Sequence, residues 1–139
     1  MRFWDSSAIV PLLVEQPLSR QADQWLAADD QTAIWTVTPV EIASALWRLV
    51  REQALEPAQA RAAEARSEEV TQASHVVVDV DGVKARAVRL LRVHHLRAAD
   101  AMQLAAALVW SLDRPAGRVL HTFDARLADA AQREGFEVG

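Results

Sequence analysis

Short apolar runs alternate with longer segments of helical periodicity along the chain. The short runs are rich in β-branched and aromatic residues, which is typical of strands. They cover residues 3–4, 33–37, 75–80, 119–122 and 136–138. The segments between them carry apolar residues at three- and four-residue spacing, which is typical of amphipathic helices. The predicted helices begin at Ser6-Ser7 and Thr38 and otherwise cover residues 19–28, 58–74, 81–93, 98–112 and 124–133.

This alternation predicts an α/β fold. Strands that are joined by single helices or by pairs of helices favour a parallel sheet covered on both faces. We therefore expect one helix-rich domain over residues 1–139, with three α/β/α layers and a short, mostly parallel sheet. Thr38-Pro39-Val40-Glu41 has the pattern of a capping box, with threonine as the N-cap. Gly135 is predicted to end the last helix.

The composition narrows the class of protein. A chain of 139 residues with 51% hydrophobic residues suits a single domain with a proper core. The absence of cysteine excludes disulfides and thiolate metal sites. Neither a P-loop lysine motif nor G-x-G-x-x-G is present. The start lacks a signal-peptide layout, and no apolar run approaches the ~20 residues that span a bilayer, so we expect a soluble, cytoplasmic protein without a membrane partner.

Four carboxylates occupy equivalent places in this pattern. Asp5, Glu41, Asp100 and Asp124 each stand at the start of a predicted helix, and Asp5 and Asp124 directly follow strands. Helices that follow parallel strands begin at one edge of the sheet, where ligands of open α/β sheets bind. Ionised acids gathered there call for a cation, and oxygen ligands favour Mg²⁺ or Mn²⁺. Each acid taken alone could instead be a helix cap or a complement to a helix dipole.

The segments around these acids resemble PIN-domain ribonucleases, and more narrowly the VapC-type toxins of bacterial toxin–antitoxin pairs. The likeness lies in DSSA at residues 5–8, Glu41 at a helix start, LRAADAMQLAAA at 96–107 and TFDARL at 122–127. It implies Mg²⁺-dependent cleavage of RNA, a homodimer and a cognate antitoxin. It also implies that Asp5 and Asp100, completed by Asp124, hold the metal.

The same resemblance assigns secondary roles. Glu41 matches an acid that orients a metal-bound water or a second ion. Ser7 and Thr122 match hydroxyl positions that line the same edge, although a helix cap and a strand-end turn explain them equally well. Trp47 lies in an apolar stretch edged by arginines and is a candidate for the antitoxin side.

A basic segment leads toward Asp100. It contains Lys84, Arg86, Arg89, Arg92 and Arg97 and no acid. Arg86, Arg89 and Arg92 recur every third residue and share roughly one helix face. Arg86, Arg89 and Arg97 are candidates for tracking RNA phosphates, which would help a chain of net charge −4 hold RNA locally. The alternative is an ordinary solvated helix face.

Two other classes of function stay open. A catalytically silent binding module would use the four acids only as caps. A receiver-like phosphoacceptor would use Asp79 or Asp81 after the third strand, but it needs a lysine late in the chain and none follows Lys84.

Overall fold

A computed structural model of the protein describes all residues from 1 to 139 and contains one five-stranded sheet. The strands are β1 (Arg2–Trp4), β2 (Thr32–Trp35), β3 (His75–Val77), β4 (Val119–His121) and β5 (Glu137–Val138). Their order across the sheet is β3-β2-β1-β4-β5, and every neighbouring pair is parallel. In register, Phe3 of the central strand lies opposite Ala33 on one side and Leu120 on the other. The predicted helix-rich α/β fold with a short parallel sheet is confirmed.

Seven helices connect and cover these strands. They are α1 (Ser6–Leu13), α2 (Ser19–Ala28), α3 (Thr38–Arg51), α4 (Pro57–Ala73), α5 (Val80–Val93), α6 (Ala98–Trp110) and α7 (Ala125–Glu134). None of the seven combines the length and the apolar composition that crossing a bilayer requires.

The sheet separates two cores. Successive side chains of a strand point to opposite faces, so Phe3 and Trp4 enter different cores although both are fully buried. Phe3 packs with residues of α5, α6 and α7, represented by Leu90, Leu104 and Leu127. Trp4 packs with residues of α1, α3 and α4. The three layers are therefore α5–α7, the sheet, and α1–α4.

The structure corrects three predicted boundaries. They are the ends of β2 and β3 and the start of α5. β2 ends at Trp35 rather than residue 37, because Thr36 and Val37 form the turn that leads into α3. β3 ends at Val77 rather than residue 80, because Asp79 caps α5 through the Gly82 amide at 2.9 Å. An apolar run alone does not show where a strand ends, and here the cap decides it.

The predicted capping box at Thr38 is wrong. Val37 is the N-cap of α3 and makes no side-chain cap hydrogen bond. Thr38 is fully buried, and its Oγ1 accepts from Gln103 Nε2 at 3.0 Å. Glu41 bonds other side chains, so both residues of the expected box serve tertiary contacts. The predicted stop of α7 is confirmed, since Gly135 is its C-cap in the left-handed region at φ 106°.

Candidate active site

The acids meet where the strand order reverses. β1 is the central strand, β2 and β3 lie on one side of it, and β4 and β5 lie on the other. In open α/β sheets, the crevice at this switch point is the usual ligand site. Asp5 leaves the end of β1, with its amide donating to His121 O at 3.0 Å, and Thr122 and Asp124 leave the end of the neighbouring β4.

Asp5 is buried among hydroxyl groups. Its side chain is 4% exposed, and its Oδ2 accepts from Ser7 Oγ at 2.5 Å, Thr122 Oγ1 at 3.0 Å and the Ser7 amide at 3.2 Å. Burial raises the pKa of Asp5, and these donors lower it in part. Asp5 is the N-cap of α1. In addition to this cap, the hydroxyl groups of Ser7 and Thr122 donate directly to its carboxylate. The structure thus puts both predicted hydroxyl residues against Asp5.

Glu41 projects from the first turn of α3 toward Asp5. Ser6 Oγ donates to its Oε2 at 3.1 Å, and Gln103 Nε2 lies 3.1 and 3.2 Å from its two oxygens. Burial raises the pKa of Glu41 to about 7, and the charges of Asp5 and Asp100 act in the same direction. Ser6 also donates to Asp5 Oδ1, at 3.4 Å, so one hydroxyl connects the two acids.

Asp100 and Asp124 form the other side of the cluster. Both side chains are partly exposed, Asp100 at the N-terminal turn of α6 and Asp124 at the N-cap of α7. Asp124 Oδ1 accepts from the Leu127 amide at 2.8 Å. Burial raises the pKa of Asp100, and the charges of Asp124 and Asp5 raise it further. The four acids, called the acidic cluster below, are therefore electrostatically coupled.

The donor set of the acidic cluster fits a hard divalent cation. None of the four acids is in a salt bridge, although an uncompensated buried charge is strongly unfavourable. All available ligand atoms are oxygens, as Mg²⁺ and Mn²⁺ prefer. In the structure no three Asp, Glu or His side chains are arranged so that they could hold one ion. The chemistry of the residues therefore fits, while coordination requires the carboxylates to draw together.

Two cavities open on opposite parts of the acidic cluster. The first has a volume of about 520 Å³ and is lined by Ser6, Glu41 and residues further along α3, including Arg48. The second has about 530 Å³ and is lined by Asp100 and Asp124 together with Arg97 and Arg126.

Gln103 and Ser6 are functional candidates that the sequence reasoning missed. Gln103 is fully buried, and its Nε2 bonds Thr38 and Glu41. It lies three residues after Asp100, and therefore on the same side of α6. A lone polar residue between Met102 and Trp110 was the available signal. Ser6 carried no signal beyond its place next to Asp5.

The three arginines predicted to bind RNA have different surroundings in the structure. Arg97 lines the second cavity beside Asp100, as expected. Arg86 forms a two-point ion pair with Asp113, at 2.8 and 2.6 Å, and Arg89 forms one with Glu134, at 3.1 and 2.8 Å. Neither Arg86 nor Arg89 lines a cavity of the acidic cluster. Both guanidinium groups bind side chains of this chain in the structure.

The PIN domain family model matches residues 2–133, so the chain belongs to this family. Among curated protein sequences, none matches the chain significantly.

Solved structures share the fold over nearly the whole chain. A toxin–antitoxin complex from Klebsiella pneumoniae aligns with a TM-score of 0.65 and 19% identity, covering 92% of this chain and 90% of that one. PAE2754 from Pyrobaculum aerophilum aligns with a TM-score of 0.63 and 26% identity, covering 99% of this chain and 87% of that one. VapC20 from Mycobacterium tuberculosis is a toxin that cleaves the sarcin–ricin loop. It aligns with a TM-score of 0.67 and 18% identity, covering 94% of this chain and 95% of that one.

Proposed function

We propose that this protein is a Mg²⁺- or Mn²⁺-dependent endoribonuclease and the toxin of a toxin–antitoxin pair. The observation that carries the proposal is the acidic cluster, whose four carboxylates lie at the switch point of the sheet and form no salt bridge. Membership of the PIN family supports a nuclease. The likeness of the fold to VapC20, a toxin that cleaves RNA, supports the choice of RNA.

The surroundings of each residue support a separate role for it in the proposed reaction. Asp5, Asp100 and Asp124 would hold the ion, because they present oxygens that form no salt bridge. A divalent ion bound there would lower the pKa of water and offset charge on the phosphate. Glu41 would orient the attacking water, because Ser6 connects its carboxylate to that of Asp5. Ser6 and Gln103 would hold Glu41 in that orientation.

Cleavage assays test the reaction. We expect RNA cleavage by the wild type with Mg²⁺ or Mn²⁺, none in EDTA, and none by Asp100→Asn. Asp81→Asn is the matched control, because Asp81 is an exposed acid in the first turn of α5. Equal activity of Asp100→Asn and wild type, or full activity in EDTA, would refute the proposal.

Metal binding distinguishes this function from a silent binding module. Calorimetric titration with Mn²⁺ should show binding by the wild type and weaker binding by Asp5→Ala. A module whose acids serve only as caps would show no heat of binding in either protein. The result does not depend on choosing the right RNA.

The partners follow from the toxin assignment. The Klebsiella structure is a toxin–antitoxin complex, which supports a protein antitoxin as partner here.

We also propose a homodimer. One face of α5 offers three exposed apolar side chains, Val80, Val88 and Leu91, at 49, 52 and 42% exposure. Light scattering of the wild type and Leu91→Glu tests the dimer. Sequencing of RNA ends after induced expression tests activity, substrate and cut site together, with Asp100→Asn as control.

A further inference from the structure

The arginines of the two cavities suggest a path for the substrate. Resting on the proposed function, we propose that single-stranded RNA crosses the acidic cluster with a phosphate held on each side of it, by Arg48 in the first cavity and by Arg126, with Arg97, in the second. The cleaved phosphodiester would lie between them, over the four acids. From the sequence, Arg48 was expected only at the edge of the apolar stretch around Trp47 on the antitoxin side, and Arg126 was given no role of its own.

The first cavity is continuous with the acids. Glu41 and Ser6 belong both to the acidic cluster and to the cavity wall. Arg48 follows Glu41 by seven residues, so it lies two turns further on the same face of α3, with Ser44 between them. Seven residues correspond to a rise of about 10 Å. Arg48 is exposed, and no carboxylate of the chain pairs with it.

The lining of this cavity suits a nucleotide. A volume of about 520 Å³ lies within the ~300–1,000 Å³ typical of small-molecule pockets. Val10 and Leu49 provide apolar surface for a base, while Ser44 and Gln16 provide hydrogen-bonding groups.

The second cavity repeats the arrangement on the other side. Asp100 and Asp124 belong to its wall, and Arg97 and Arg126 stand beside them. Arg97 precedes α6 and Arg126 is the second residue of α7, so both arise next to the acids they flank. Both are exposed and neither forms a salt bridge, although the charge of Arg97 acts to lower the pKa of Asp100.

Charge selects phosphate as the ligand of these arginines. With a net charge of −4, the protein as a whole repels RNA, so binding needs local cations. The guanidinium group presents a planar set of donors that matches phosphate at two points. Arg86 and Arg89 are already engaged by Asp113 and Glu134, whereas the arginines of the cavities are free to bind a ligand.

Salt-dependent binding tests the path without requiring cleavage. Fluorescence anisotropy would follow a labelled mixed-sequence RNA dodecamer in EDTA, for wild type, Arg48→Ala, Arg126→Ala and the double variant. Each lost phosphate contact on a single strand should lower the slope of log affinity against log salt by about 0.7, and the double variant by about 1.4. The matched control is Arg61→Ala, an exposed arginine of α4 outside both cavities. Circular dichroism would verify that all variants fold.

The outcomes separate the path from the function. Reduced slopes for both single variants, additive in the double variant and absent for Arg61→Ala, would support the path. An unchanged slope for Arg48→Ala would overturn it and leave the first cavity to another ligand, such as a protein segment. Wild-type cleavage of RNA together with unchanged slopes would overturn the path alone. No RNA binding and no cleavage by the wild type would overturn both proposals.

Discussion

Replacing Glu41 by glutamine should stabilise the folded protein at neutral and alkaline pH. Glu41 is held near two other acids and its pKa is raised to about 7 in the folded state, from an ordinary value of 4.5. Between these two values the folded protein binds a proton that the unfolded chain has released. The stabilisation of the protonated form is therefore complete below pH 4.5 and is lost as the pH rises through 7. A neutral amide avoids this loss.

The structure sets the size of the effect. The shift corresponds to about 3.4 kcal/mol, at about 1.4 kcal/mol per pKa unit, if the site were fully shielded from water. Glu41 is only partly buried, so screening reduces the expected gain to about 1–2 kcal/mol. Two of the three hydrogen bonds survive the change, because glutamine Oε1 can accept from Gln103 Nε2 and its Nε2 can donate to Ser6 Oγ. The contact of Gln103 Nε2 with the second oxygen is lost.

Urea unfolding in EDTA measures this gain. The free energy of unfolding of Glu41→Gln should exceed that of the wild type by about 1–2 kcal/mol near pH 8 and by much less near pH 5. Glu69→Gln is the matched control, since Glu69 is an exposed glutamate of α4. A gain that is equal at both pH values, or a less stable variant at pH 8, would contradict the electrostatic reasoning. The same variant should lose nuclease activity, as a stability–activity trade-off predicts.

Three further changes test other parts of the structure. Gln103→Leu removes a hydrogen-bond donor to the Glu41 carboxylate, an effect of about 1.5–3 kcal/mol. It should lower kcat about 10–100-fold with a smaller change in KM. A variant with the kcat of the wild type would exclude a positioning role for Gln103. Gly135→Ala should lower the free energy of unfolding by about 1–3 kcal/mol in urea titrations, because φ is 106° and the new Cβ would lie 3.2 Å from Pro115 Cγ. An unchanged urea midpoint would show that the turn relaxes. Burial lowers the pKa of His121 to about 4, so the contribution of His121 to stability should fall as the pH drops from 6.5 to 4, opposite in sign to that of Glu41. The free energy of unfolding of His121→Gln, relative to that of the wild type, should therefore rise over that range.

The acids of the cluster were predictable because their signal is local. Asp5 and Asp124 directly follow apolar runs, and the parallel order of the strands then brings both to one edge of the sheet. The alternation of strands and helices was enough to predict that edge. Glu41 was found for a partly wrong reason, since its predicted capping box does not form.

The partners of the acids were not predictable in the same way. Gln103 bonds Glu41 across 62 positions of sequence, and Ser7 bonds Thr122 across 115. Arg86 and Arg89 look like a free basic face in the sequence, yet Asp113 and Glu134 reach them from 27 and 45 residues away. Charge pattern along a helix does not reveal which opposite charges the fold will bring to it.

The sequence by itself determined the class of fold and the four carboxylates, because hydrophobic periodicity and the residues at strand ends are properties of neighbouring positions. Only the tertiary structure decided how those carboxylates are held. Burial and mutual repulsion raise the pKa of Glu41 and of Asp100, and both effects arise when β1, α3 and α6 pack together. The cavities on either side, with Arg48 and Arg126 at their walls, likewise exist only once those elements are assembled.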